Sequence, residues 1–231
     1  SNLRSTMSNM ADYLLIGNTR LHWASIQNYS YKFHHTLINQ SFPKNIDFKN
    51  LIWASVGKYP TDNFLKKNQV TLKDINLKNM PHFIGIDRAL VCCAALRMIK
   101  NEFKKDLLIV DLGTTVSITK IDNQGKMLGG QLFPGFTTQL KSMGENTKNL
   151  VFPSKLFIPN NQFEISTKNA MLRGVYNSII GAINISFDRK KDILILCGGD
   201  ANMIGNSLKK EFKDFIIEPN LVMYGMIFLN K

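Results

Sequence analysis

The chain has 231 residues, 44% of them hydrophobic, which suits one large domain or two small ones with a core that needs no disulfide staples. Its 29 lysines and arginines against 17 aspartates and glutamates give a formal charge of +12, which favours anionic partners of some kind. The charge is spread as lysine pairs (Lys66-Lys67, Lys104-Lys105, Lys209-Lys210), without an arginine-rich stripe, so it reads as solvated helix faces and carries no nucleic-acid motif. No apolar run is long enough to span a bilayer and the opening residues have no signal-peptide core, so the expectation is a cytoplasmic protein with no membrane partner. Three cysteines (Cys92, Cys93, Cys197) and four histidines (His22, His34, His35, His82) show no metal-ligand spacing. The first nine residues are polar and read as a frayed leader or as residues foreign to the fold.

In chain order, an apolar strand at 13–16 enters Gly17, Asn18, Thr19 and Arg20 and leaves into a second strand at 21–26, the pattern of a tight hairpin. A further strand is expected at 51–56. A loop with Pro81 and His82 then closes on the tetrapeptide GIDR (85–88), which opens a helix at 88–103. Strand 107–110 runs through Asp111 into Gly113, Thr114 and Thr115 and on into strand 116–121. GGQLFPG (129–135) supplies another glycine turn, and helix 170–187 follows with a long periodic face broken mildly by Gly174 and Gly181. Strand 193–197 enters CGGDA (197–201), and an apolar helix at 221–229 ends the chain. Hairpins followed by helices, twice over, predict an α/β architecture with mixed sheets. The expected division is an N-terminal lobe at 10–105 and a C-terminal lobe at 106–231, with a cleft between them.

The two hairpin turns are copies. With Leu15 laid on Asp111, Gly17 falls on Gly113 and Thr19 on Thr115, an offset of 96 residues from position 15 to position 111. Such turns leave converging backbone N–H groups uncovered by side chains and can cradle phosphate oxygens, whereas read singly each is an ordinary α/β hairpin. Asp87 reads as a helix cap or, beside Arg88, as a carboxylate able to accept a proton from a substrate hydroxyl. Asp111 reads as a turn-forming side chain or as a cation ligand next to phosphate, with Thr114 adding a hydroxyl contact. Gly198 and Gly199 permit close approach of a ring or sugar to the backbone, or make a tight strand-to-helix connection.

Taken in order, LIGNT, GIDR, DLGT, GGQLFPG and CGGDA resemble the motifs of the type III pantothenate kinases, members of the acetate and sugar kinase, chaperone ATPase and actin superfamily. The resemblance runs from about residue 14 to residue 229. It implies two duplicated ribonuclease-H-like, actin-like ATPase lobes and ATP-dependent phosphorylation of pantothenate, the first step toward coenzyme A. On this reading Asp87 is the proton acceptor. Gly85, Ile86 and Arg88 form the pantothenate loop, with Val56 lining the same pocket. Thr167 is a substrate contact lent by the other subunit of a homodimer, and helix 170–187 is the candidate interface. Asp111 holds a monovalent cation, potassium or ammonium, and Thr114 an ATP phosphate. Gly17, Asn18, Thr19 and Arg20 form the first phosphate turn, with Gly198 and Gly199 also on the nucleotide side.

Two departures stand out. Where the family has an acid that orients Mg2+, this chain has Leu15, and Asp12, three residues earlier, belongs to the other face of the strand. Before GIDR the usual aromatic and Asn-Pro are replaced by NMPHFI. The rival reading is a non-catalytic, kinase-like regulator that binds an acidic partner or nucleic acid. Retention of Asp87, Arg88, Asp111 and Thr167 argues against it. A kinase for another sugar or acid fits the phosphate turns but not GIDR followed by the threonine.

Overall fold

Alternating apolar residues set the two sheets around which the chain is built, and in a computed structural model residues 12–27, 30–40, 47–58, 63–99, 104–209, 212 and 215–229 are described. The polar leader and the expected helix end at 100–103 lie outside these residues. The described chain forms two compact units, one of the residues up to Ala94 with those from Val222 on, the other of Ala95 to Leu221. The division expected after residue 105 differs from this because the helix that follows GIDR passes from one unit into the other and the C-terminal helix belongs with the first.

In the first unit, β1 (Tyr13–Ile16), β2 (Arg20–Gln27), β3 (Ser30–Leu37) and β4 (Ile52–Ser55) form one sheet in the order β3-β2-β1-β4. β1 runs antiparallel to β2 and parallel to β4, so the ends of β1 and β4 emerge at the same edge. Leu14 and Ile16 alternate onto one face and pack with Leu21, Trp23, Leu51, Trp53 and Phe64. Helix α1 (Ile86–Met98) buries Ala89, Leu90, Val91, Cys92 and Ala94. A β-carbon at Gly225, in the C-terminal helix, would overlap the Leu90 carbonyl, so only glycine lets the two helices meet this closely.

The second unit repeats the plan. β5 (Asp106–Leu112), β6 (Thr115–Ile121), β7 (Met127–Pro134), β8 (Asp192–Cys197) and β9 (Ile216–Ile217) lie in the order β7-β6-β5-β8-β9, with β5 antiparallel to β6 and parallel to β8. Thus β5 matches β1, β6 matches β2, β7 matches β3 and β8 matches β4, and the duplication seen in the turns extends to the sheets. Helices α2 (Phe136–Asn146) and α3 (Thr167–Ser186) cover one face, where Leu108, Val110 and Leu112 meet Phe136, Leu140, Tyr176, Ile179 and Ile183. Each such buried aliphatic side chain contributes about 1.5–3 kcal/mol relative to exposure. Helix α4 (Ala201–Leu208) follows β8, and α5 (Leu221–Phe228) ends the described chain.

Three strands and two helices are additions to the sequence reading. β3 and β7 are edge strands with mostly exposed residues; β7 has no apolar alternation, and in β3 it is limited to half-buried Tyr31 and Phe33 between exposed Ser30, Lys32 and His34. GGQLFPG is accordingly a strand through Pro134, and only Gly135 turns into the next helix. β9 is two residues long. α2 and α4 span 11 and 8 residues, and each follows a glycine turn without a long periodic face of its own. Among the described residues, no helix is long and apolar enough to cross a membrane. Cys92 and Cys197 are buried, Cys93 is half-buried, and none is in a disulfide.

Candidate active site

The first glycine turn joins β1 to β2. Gly17 N–H donates to the Arg20 carbonyl at 2.8 Å, and the Thr19 carbonyl accepts from Ile38 N–H, so backbone bonds close the turn while Asn18, Thr19 and Arg20 stay exposed. A β-carbon at Gly17 would lie 2.9 Å from the Arg20 oxygen and 3.4 Å from His22 Nε2, which explains the glycine. Val56 follows β4 and donates its N–H to the Ile16 carbonyl at 2.9 Å, which sets it beside the same strand end.

The tetrapeptide GIDR makes the first turn of α1. Asp87 lies inside the helix rather than at its cap, and its Oδ1 accepts the Arg88 backbone N–H at 2.8 Å. A β-carbon at Gly85 would come to 2.6 Å from that oxygen, so Gly85 is what admits the folded-back carboxylate. Asp87 and Arg88 are half-buried. Among the described residues Asp87 Oδ2 has no hydrogen bond, and a carboxylate with one oxygen fixed and the other open can take a proton.

The second turn is more elaborately built. Asp111 is the penultimate residue of β5, paired with Ser117 on one side and Cys197 on the other. Gly198, at φ 88°, lies against it; a β-carbon there would overlap Asp111 Oδ1 and stand 2.7 Å from the Leu112 carbonyl. The Thr114 carbonyl accepts from Gly135 N–H at 2.9 Å and from Thr138 Oγ1 at 2.7 Å, which pins the turn to the start of α2. Asp111, Gly113, Thr114, Gly135 and Gly198 therefore converge, and three motifs widely separated in sequence meet in one unit. Gly135 and Thr138 were absent from the sequence-derived site; Gly135 stood in the GGQLFPG motif, while Thr138 carried no signal. Gly199 is exposed, with open space where a side chain would stand. Thr167 is the exposed first residue of α3, capped by Ser166, whose hydroxyl accepts from Asn169 N–H at 3.2 Å.

Leu15 is buried at 2% exposure and holds the place equivalent to Asp111. Its face of the sheet carries His22 and, beyond it, His35, whose Nδ1 atoms lie 2.8 Å apart. Burial, His35 and Arg20 together hold the His22 imidazole down to about 4, so it is neutral at pH 7. No sequence pattern marked this pair; strand register alone brings it to the turn. Among the described residues no group of three or more His, Cys, Asp or Glu side chains is placed to hold a metal. Of the two equivalent strand positions, only the one in the second turn carries a carboxylate, Asp111. A groove lined by Lys120, Gln131 and Ser186 contains none of these residues.

Solved structures align over nearly the whole chain. A Campylobacter jejuni protein named as a Baf family transcriptional activator has a TM-score of 0.66 at 21% identity, covering 94% of this chain and 96% of that one. A 2-dehydro-3-deoxygalactonokinase protein from Sinorhizobium meliloti has a TM-score of 0.55 at 11% identity, covering 95% and 97%. At such identities the likeness is one of fold, an α/β chain of two repeated mixed sheets with helices. The model of the type III pantothenate kinase family matches residues 58–189, more than half of the chain. The chain belongs to that family. Type III pantothenate kinases of Thermosynechococcus vestitus (27% identical over 92% of this chain and 87% of that protein) and Nostoc sp. (28%, over 92% and 91%) align almost throughout. The enzyme of Pseudoalteromonas translucida is 33% identical over 63% of this chain and 60% of its own length.

Proposed function

We propose that the protein transfers the terminal phosphoryl group of ATP to the primary hydroxyl of pantothenate, in the cytoplasm, with a divalent cation on the nucleotide. The observation that carries this reading is the GIDR turn, where Gly85 and the Arg88 amide hold one oxygen of Asp87 and leave the other for a substrate proton. Asp87 draws the hydroxyl proton as the substrate oxygen attacks in line, while Arg88, Gly85, Ile86 and Val56 hold pantothenate. Gly17 keeps the first turn clear of a side chain while its own N–H goes to the Arg20 carbonyl, backbone N–H groups of the turns at 18–20 and Gly113-Thr114 hold phosphate oxygens, and Gly198 and Gly199 keep the backbone open to the nucleotide. A divalent cation, when bound, neutralises phosphate charge. Asp111 supplies a negative charge for a cation beside the second turn, and we assign that place to a monovalent one, potassium or ammonium.

The substrate site in this proposal is completed by Thr167 of a second copy in a homodimer. Thr167 is exposed at the start of α3, and the β-carbon positions of Gly174 and Gly181 on that helix face open space, as close helix packing between copies requires. The test measures ADP release with pantothenate and with sugars or sugar acids as acceptors. Pantothenate-dependent release supports the reading, and release driven only by another alcohol contradicts it. Subunit complementation tests the shared site: mixing Asp87→Asn chains with Thr167→Val chains should recover activity that neither has alone.

A further inference from the structure

The first phosphate turn lacks a carboxylate but not a polar side chain. Leu15 pairs across the sheet with His22, and His22 with His35, so directly opposed residues place all three on one face. The His22 ring then reaches back under the turn, where its Nε2 would be 3.4 Å from a β-carbon at Gly17. Its other nitrogen is committed: two Nδ1 atoms at 2.8 Å form a hydrogen bond only if one carries hydrogen and the other a lone pair. If His22 donates, its Nε2 presents a lone pair to the turn. If His35 donates, His22 presents an N–H.

The needs of the site favour the first arrangement. Donors to phosphate are already supplied by the turn's backbone and by Arg20. What the turn lacks is a carboxylate on the cation side, since Leu15 stands at that position and no cluster of His, Cys, Asp or Glu side chains stands in among the described residues. A hydrated divalent ion that keeps its waters needs an acceptor there rather than a direct ligand. We propose that His22, oriented by His35, takes the part of the absent carboxylate, its Nε2 lone pair accepting a hydrogen bond from a water on the nucleotide-bound divalent cation. His22 is neutral for reasons of burial, and a neutral imidazole is the form that carries this lone pair. His35 is a positioning residue: it fixes which nitrogen of His22 holds the proton. The inference rests on the nucleotide-binding part of the kinase reading.

The test is histidine 15N NMR on the whole chain with a non-hydrolysable ATP analogue and Mg2+. His22 Nε2 is expected to remain unprotonated and to shift on formation of the complex. With Mn2+ in place of Mg2+, the His22 ring signals should broaden at metal fractions that leave exposed His34, on the opposite face of β3, visible. A protonated Nε2 in the complex, which would make His22 a phosphate donor, overturns the proposal. So does an unchanged spectrum in protein shown by calorimetry to be loaded with nucleotide. In parallel, His22→Phe should raise the Mg2+ concentration needed for half-maximal nucleotide binding about tenfold, and Leu15→Asp in the same chain should bring it back. A folded His22→Phe protein with an unchanged requirement would also overturn it. His35→Phe should let Nε2 of His22 take up the proton, a change that simple loss of packing would not produce. Pantothenate is absent from these measurements. The expected spectra in a chain that does not phosphorylate pantothenate would therefore uphold the contact and overturn the functional reading alone.

Discussion

Leu15 and Asp111 occupy the same position in two sheets of the same topology. Each is the penultimate residue of the strand that enters a glycine turn, and each lies between an antiparallel and a parallel neighbour. One is apolar and the other a carboxylate, so the two turns cannot treat a cation alike. In the proposal above, the second turn supplies charge, and the first supplies backbone donors and, through His22, an imidazole.

Asp87→Asn keeps the shape of the side chain and its bond from the Arg88 amide but cannot take a proton. Turnover should fall by about a hundredfold or more, with nucleotide affinity nearly unchanged, the scale expected for loss of a general base. Calorimetry and steady-state rates on the same preparation separate the two effects. Unchanged turnover would reduce Asp87 to a helix-stabilising residue.

Asp111→Asn removes the charge that a bound cation must offset. Activation by potassium or ammonium should disappear while the protein still folds, because the amide retains the contact with Gly198. Rates measured across a potassium titration at constant ionic strength check this. A preserved activation curve would place the monovalent cation elsewhere.

Gly135→Ala puts a methyl group into the carbonyls of Gly113 and Thr114. The second turn must move, so we expect a stability loss of about 1–3 kcal/mol together with weakened nucleotide binding. Denaturant unfolding and nucleotide titration measure the two. Gly174→Ala, whose β-carbon meets open space, is the control within one chain and should leave nucleotide binding unaffected.

The pH dependence of stability has a definite sign. Burial, His35 and Arg20 lower the His22 imidazole from 6.5 to about 4, so between those values the unfolded chain binds a proton that the folded chain refuses. The stability from keeping His22 neutral is complete above pH 6.5 and is lost as the pH falls toward 4. The melting temperature should drop across that window, and the drop should be smaller in His22→Phe. Equal slopes in the two proteins would mean that other groups govern the acid limb.

Much of this molecule was legible in the sequence because its chemistry sits at glycines and strand ends. The turns at Gly17, Gly113 and Gly198 were readable, since an apolar strand running into glycine has few structural solutions. β3 and β7 were not, because edge strands bury little. The support that Thr138 and Gly135 give to the second turn depends on a fold-back that no local pattern encodes. The His22–His35 pair is the sharpest case. His22 and His35 are 13 residues apart, and only the register of β2 against β3 makes them neighbours.

Phosphoryl transfer to pantothenate is tested by identifying the product. The chain is incubated with ATP, Mg2+, potassium and pantothenate, and the mixture is resolved by mass spectrometry alongside ADP release. The expected outcome is 4'-phosphopantothenate in equal amount to ADP, absent when Asp87 is replaced by Asn. ATP-loaded protein that yields ADP without phosphorylated pantothenate, or no ADP at all with either cation, would contradict it.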